Sequence, residues 1–475
     1  MRRVAHLLMI VAVAISFAAC QPKETKLYIA SINDMHANID NMPKLAYVLD
    51  SLRTVHPDLL LFSAGDNRSG NPINDRAAEP ARPMYELMNA VGFDLSCFGN
   101  HEWDSGIEAL RTVMNVANFP FVCANVTFDD TLNIPVSPYV IFERNGLKIG
   151  VIGAIQLGPN GIPDFHPQNA TGSHFRPAAE AIPEYLSLRD ECNALFLLSH
   201  NGFEEDIELA EQFPQFDAIF GGHSHTLVDS TRIFNGVMVT QAMNKVKYLT
   251  LSTFTFDKNG KMIAKESQVI PIGTVKQKDE KVKAMVDEFN NNEVFLKVMG
   301  YNDAAIVDCY ECLGSFMADA NLTLVDADMS FQNYGGVRFD TLGVRPIILK
   351  DLLSLDPFDN ELILFNMTGQ EIVDFLGVSF FTDHGPNYCS GCTYTYSVDD
   401  EGQMKDCKVT LANGKPLDLK ATYKVVMNSY MSSAFDFKHD DPGTSLFRTS
   451  NEALIEYLAK NQHINYANEI REVEK

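Results

Sequence analysis

Five short polar motifs, each directly behind an apolar run, constrain this chain more than any other feature. They are Asp34-Met35-His36, Gly65-Asp66-Asn67, Gly99-Asn100-His101-Glu102, Ser199-His200-Asn201 and Gly221-Gly222-His223-Ser224-His225. The apolar runs before them cover 27–32, 59–62, 95–98, 194–198 and 218–220. Runs of this kind read as strands buried on both faces, and open α/β sheets place ligands at the carboxyl ends of such strands. The motifs are therefore expected on one rim, which brings together Asp34, His36, Asp66, Asn100, His200, His223 and His225. Alone, each motif is ordinary: Asp34 could be a turn residue, Gly99-Asn100 a tight turn, His200 a hydrogen-bonded core histidine. Five in order, each behind an apolar run, are poorly explained that way. Two Asp, one Asn and four His on one rim are enough for two divalent metal ions. Mixed carboxylate and imidazole donors suit Zn, Mn, Fe or Co better than Ca or Mg.

Between these runs, 43–54, 82–90 and 106–116 are apolar at helical spacing. Strands alternating with helices predict an α/β fold with helices packed on sheets. A chain of 475 residues is long enough for two domains. Its character changes near 275, where a charged stretch without Gly or Pro, 275–297, reads as a helix joining two domains or as the last helix of the first. The expected organisation is a first domain over 26–274, a linker helix over 275–298 and a second domain over 299–475.

The first twenty residues read as an address. Arg2 and Arg3 precede an apolar stretch over 7–19 that is too short to span a membrane comfortably. Ser16-Phe17-Ala18-Ala19-Cys20 resembles a bacterial lipobox, which predicts a signal peptide over 1–20 and lipidation at Cys20; an ordinary cleaved signal is the alternative. The expected location is that of an exported lipoprotein, at the periplasmic face or outer membrane and held there only by lipid. The excess of 62 acidic over 38 basic residues, a formal charge of −24, argues against coating a nucleic-acid polymer. It does not exclude an anionic substrate, because distant surface charges are screened beyond about 8–10 Å. Cys97, Cys123 and Cys192 lie in or beside apolar segments and read as buried thiols. Cys309/Cys312 and Cys389/Cys392 form two CxxC units that could be disulfides, free thiols or metal ligands, with disulfides favoured in an oxidising compartment.

The order and content of the five motifs closely resemble the calcineurin-like metallophosphoesterases, and within them the 5′-nucleotidase / UDP-sugar hydrolase family. The resemblance implies a four-layer α-β-β-α metallophosphoesterase domain followed by a separate α+β substrate-binding domain. It implies one metal held by Asp34, His36, Asp66 and His225, and a second by Asp66, Asn100, His200 and His223, with Asp66 bridging. Two such ions hold a hydroxide for attack on phosphorus and lower the pKa of water from about 15.7 to roughly 7. The same resemblance makes His101 the group that protonates the leaving oxygen, held by Asp104. A carboxylate beside an imidazole raises its pKa and fixes its tautomer. Asp104 could also, or instead, cap a helix.

The second half carries its own landmarks: Glu311-Cys312-Leu313-Gly314-Ser315, Asn333-Tyr334-Gly335-Gly336-Val337-Arg338, Leu355-Asp356-Pro357-Phe358-Asp359-Asn360 and Met367-Thr368-Gly369-Gln370. They look like those of the family's C-terminal domain. By that resemblance Arg338 reaches the substrate phosphate, Phe358 and Tyr430 clamp a base, and Asn360 and Asp436 line the nucleoside site. Packing residues and a surface Arg would leave the same pattern. Two departures stand out. The stretch 301–308 ahead of Glu311 has no arginine, where the family commonly places phosphate-gripping ones, and Ala434-Phe435-Asp436 replaces the usual Gly-Gly-Asp, so Phe435 is expected to crowd the pocket. The expected activity is metal-dependent phosphomonoester hydrolysis on extracytoplasmic nucleotides, with no obligate protein partner evident. The alternatives are a related phosphoesterase for nucleotide-sugars, cyclic nucleotides or another phosphometabolite and, third, a surface binding protein without turnover.

Overall fold

The computed structural model describes residues 24–475 apart from 383 and 384; the expected signal segment and Cys20 lie outside the described residues. The five motif-bearing runs are all strands, divided between two sheets. Thr25–Ile32, Leu60–Ser63 and Leu95–Cys97 run parallel in a seven-stranded sheet. Ala194–His200 and Ala218–Phe220 run parallel in a six-stranded one. Leu27, Ile29, Phe62, Val151, Phe196, Phe220 and Phe254 fill the layer between the sheets. This burial on both faces is why the strands read as continuous apolar runs rather than alternating ones.

The helices Met42–Val55, Arg82–Val91 and Gly106–Val116 cover the outer face of the first sheet through Leu45, Leu49, Met84, Met88, Leu110 and Val113. The helix Phe203–Gln212 and the turns over Ala178–Ala181 and Ile182–Asp190 cover the second through Leu209, Ala210, Ala181 and Ile182. The result is the four-layer α-β-β-α arrangement. The helix expected over 275–297 is shorter than its composition suggests, Glu280–Asn290. Asp279 starts it by accepting from Val282 N, and three successive asparagines, 290–292, end it. Its buried Val282 and Val286 pack into the first domain's core.

The C-terminal half is built on a mixed five-stranded sheet in the order Tyr388–Ser390, Met329–Gln332, Thr422–Asn428, Glu361–Thr368, Thr444–Thr449. The helices Tyr310–Thr323 and Ser450–Lys460 pack on one face through Leu313, Phe316, Leu454 and Leu458. The helix Gly369–Thr382 and the strand Cys392–Val398 pack on the other through Ile372, Phe375, Tyr394 and Tyr396. Cys309 and Cys312 form a disulfide at the N-terminus of the first of these helices. Cys389 and Cys392 are buried free thiols, with Cys389 Sγ donating to the Cys392 carbonyl at 3.1 Å. Cys97, Cys123 and Cys192 are buried thiols. No helix among the described residues is long and apolar enough to cross a membrane.

Candidate active site

The two sheets bring their carboxyl ends to one point, and direct bonds link the loops there. Asp34 N donates to Gly65 O at 3.0 Å, and His200 Nδ1 faces Ala64 O at 2.6 Å. Gly65, at φ +85°, and Gly99 let the second and third motifs touch. A Cβ on Gly65 would meet Gly99 N at 2.5 Å, and one on Gly99 would meet Asp66 Oδ1 at 2.2 Å. Glu102 then ties both loops down, accepting from Asp66 N, Asn67 N and Gly99 N at 3.0, 2.9 and 2.6 Å. Asp34, His36, Asp66, His223 and His225 all lie at positive φ, between 45° and 77°. Left-handed backbone at non-glycine residues is costly and gathers at functional sites.

All seven predicted donors meet here. Asp34 commits Oδ2 to Asn33 Nδ2 (2.6 Å) and His223 N (2.9 Å). Its Oδ1 is buried with no hydrogen-bond partner, 3.3 Å from His225 Nε2 and 3.9 Å from both His36 Nε2 and His200 Nε2. His36 Nε2 and His225 Nε2 face each other at 2.9 Å. Asp66 Oδ1 accepts from His101 N, and its Oδ2 lies 3.3 Å from His200 Nε2 and 3.9 Å from His36 Nε2. Asn100 Oδ1 lies 3.3 Å from His200 Nε2 and 3.2 Å from His223 Nδ1. A buried carboxylate oxygen without a donor, ringed by ring nitrogens, is a poor arrangement for protein alone and a fitting one for divalent cations. Burial works against charge on His200, yet the carboxylates of Asp66 and Asp34 outweigh it and hold the ring up to about 10.

His101 and Asp104 stand beside this cluster, with Nδ1 to Oδ2 at 2.7 Å. Asp104 does not N-cap the helix Gly106–Val116, whose N-cap is Ser105; it is instead the C-cap of the short 3-10 helix Asn100–Trp103. Burial lowers the pKa of His101, but Asp104 and Asp66 outweigh it and the net shift is upward. Ser69, which sequence reasoning passed over, donates from Oγ to the same Asp104 oxygen at 2.5 Å, while its carbonyl meets His36 Nδ1 at 3.1 Å.

The C-terminal half delivers Arg338 directly to this rim. Its Nη2 lies 3.2 Å from His36 Nδ1, and its guanidinium sits 5.6 Å from the centre of the Phe358 ring. Phe358 stacks on His101 at 5.8 Å and 21°. Lys245, also absent from the sequence reading, donates from Nζ to Arg338 O at 2.6 Å across the two halves. Arg76 and Asp359 make a second such contact at 2.5 Å. Asn360 Oδ1 accepts from Ser429 Oγ at 3.2 Å, beside Tyr430, and Asp436 is exposed. Phe435 does not project into an open pocket. Its ring is buried 5.7 Å from Phe375 in the domain core, and it backs Tyr430 edge-on at 6.2 Å.

Residues 27–227 match the calcineurin-like phosphoesterase family, and residues 288–437 match the 5′-nucleotidase C-terminal domain. The chain joins a calcineurin-like phosphoesterase domain to a 5′-nucleotidase C-terminal domain. Among its relatives, the 5′-nucleotidase of Vibrio cholerae is 27% identical over 518 residues, covering 93% of this chain and 92% of the relative. The trifunctional nucleotide phosphoesterase YfkN of Bacillus subtilis is 26% identical over 503 residues, covering 91% of this chain. The chain spans about a third of that relative's length, 34%. The 5′-nucleotidase precursor of Thermus thermophilus shares the fold at a TM-score of 0.84 and 22% identity, covering 95% of this chain and 99% of that one.

One buried carboxyl behind the Phe358 loop carries a stability signature. Asp356 accepts the Ser450 hydroxyl and Phe358 N, yet burial pushes it up to about 6. Between about pH 4 and pH 6 the folded chain keeps a proton that the unfolded chain has lost. This group's effect on stability therefore becomes less favourable as pH rises, by at most about 1.4 kcal/mol per pH unit. Asp356→Asn should remove that slope. Urea denaturation at about pH 4.5 and pH 7 should show the variant gaining on the wild type at the higher pH; equal shifts at both would refute it.

Proposed function

We propose that this chain is a dinuclear, metal-dependent phosphomonoesterase of the 5′-nucleotidase type, acting on nucleotides outside the cytoplasm. The carrying observation is the donorless, buried Asp34 Oδ1 among the His36, His200 and His225 nitrogens, with the Arg338 guanidinium 3.2 Å from His36. Side chains able to hold cations thus lie beside a guanidinium able to grip phosphate, which supports this reading. Asp34, His36, Asp66 and His225 would hold one divalent ion; Asp66, Asn100, His200 and His223 would hold the other. Bound there, two ions of Zn, Mn, Fe or Co supply the charge that makes water nucleophilic near neutral pH and neutralises phosphoryl oxygens.

The chain's own groups do the rest. Arg338 orients the phosphoryl group, since a guanidinium grips it bidentately. His101 Nε2 gives its proton to the leaving oxygen, while Asp104 holds Nδ1. Phe358, Asn360, Tyr430 and Asp436 receive the nucleoside. The division into 26–274, 275–298 and 299–475 is part of this reading, with substrate enclosed between the first and last. The sequence of residues 1–20 supports export and lipid attachment at Cys20.

The absence of arginine in 301–308 favours a second reading, a related phosphoesterase with another substrate. Product analysis on four substrates separates the two: phosphate from AMP or an aryl phosphate, UMP with glucose 1-phosphate from UDP-glucose, and a nucleoside monophosphate from a 2′,3′-cyclic nucleotide. The proposal expects AMP to be the fastest. It also expects Tyr430→Ala to raise KM for AMP by about 5- to 100-fold, the worth of one stacked ring, with the aryl ester unaffected. Turnover of the aryl phosphate but not of nucleotides would remove the nucleotide assignment.

A further inference from the structure

We infer that Asp164 is a positioning residue for one half of the metal centre, its carboxylate acting on the outer nitrogen of His223 and its carbonyl fixing the amide of Asn100. The inference rests on the ligand assignment proposed above. His223 turns Nδ1 inward, 3.2 Å from Asn100 Oδ1, and leaves Nε2 outward, 3.6 Å from Asp164 Oδ2. Asn100 Nδ2 donates to Asp164 O at 2.8 Å. With its nitrogen committed there, the amide can only present Oδ1 to His200 and His223. One residue therefore touches two donors of the same ion.

Packing holds Asp164 in place. The next residue, Phe165, is buried and lies parallel to Trp103, with ring centres 5.5 Å apart and planes 3° from parallel. Trp103 ends the turn that carries Asn100. The two segments are thus riveted together one residue from Asp164 on one side and three from Asn100 on the other. Ahead of it, Gly158 N donates to Ile162 O at 2.7 Å and closes the loop.

The other ligand imidazoles are held differently. His36 Nδ1 faces the Ser69 carbonyl at 3.1 Å and the Arg338 guanidinium, His200 Nδ1 the Ala64 carbonyl at 2.6 Å, and His225 Nδ1 the Asn244 amide at 2.9 Å. Among these four rings, His223 is the one whose outer nitrogen meets a carboxylate. At 3.6 Å the pairing is a charge contact rather than a hydrogen bond. A carboxylate there favours the tautomer with its proton on Nε2, leaves the Nδ1 lone pair for the ion, and raises the ring's basicity. Loss of such a partner costs about 10- to 100-fold in metal affinity.

The test is a Mn²⁺ or Zn²⁺ titration of the chelator-stripped full chain against a competing chromophoric chelator. The wild type should bind two ions. Asp164→Asn keeps the backbone carbonyl and the side-chain shape but removes the charge. It should weaken one site by about 10- to 100-fold, leave the other unchanged, and leave the thermal midpoint of the metal-free chain unchanged. Asp164→Glu, which restores the carboxylate, should recover part of the loss. Two unchanged sites in Asp164→Asn, or two sites weakened together, would overturn the inference. A wild-type chain that binds fewer than two ions would overturn the ligand assignment itself, and the inference with it.

Discussion

Asp66→Asn should cost the proposed activity at least about a thousand-fold in phosphate release and strip the chain of bound metal. Asp66 Oδ2 is the oxygen that faces both donor groups, 3.3 Å from His200 Nε2 and 3.9 Å from His36 Nε2. Asparagine keeps the shape and tolerates the left-handed backbone at φ 51°, so what it removes is the charge that two cations would share. Several kcal/mol of transition-state stabilisation come from such ions, at about 1.4 kcal/mol per factor of ten. Elemental analysis beside a phosphate assay checks both halves. A variant that keeps two ions and most of its rate would refute the bridging role.

A second large effect is expected at His101, and it depends on the ester. His101→Gln should slow hydrolysis of a nucleoside monophosphate by about 100-fold or more, the usual worth of general acid catalysis. The ribose oxygen is a poor leaving group and needs the proton. A nitrophenolate leaves without one, so p-nitrophenyl phosphate should lose far less. The geometry also admits another role, because His101 Nε2 lies 3.9 Å from Asp66 Oδ2 and could join His36 and Asp66 around a cation. Equal losses on both esters would favour that role over proton donation.

The motif-bearing strands and the convergence of the seven side chains proposed to hold metal were legible because each lies within a few residues of an apolar run that must be a buried strand. Convergence then follows from topology, although the division of the five strands between two sheets does not. The left-handed conformations of Asp34, His36 and Asp66 carry no mark in their residue types beyond the neighbouring Gly65. Ser69, Lys245 and Asp164 were illegible for a different reason. Their roles arise from loops brought together by packing such as Phe165 on Trp103, and no spacing announces it. Phe435 shows how composition can mislead at a pocket. A large ring in place of a glycine suggests obstruction, but Phe375 offers it a place in the core. The two CxxC units look alike in sequence and differ in the fold. Cys309 caps a helix and bonds to Cys312, whereas Cys389 lies in the strand Tyr388–Ser390 and Cys392 begins the next strand.

The central claim, a two-ion site that hydrolyses nucleotide phosphate esters, is tested most directly by stripping the full chain of metal and refilling it while following phosphate release from AMP. The account predicts no release from the stripped chain and a rate that rises as a second equivalent of Mn²⁺ or Zn²⁺ is bound. Undiminished release from the stripped chain, or two bound ions with no release from any phosphate ester, would contradict it.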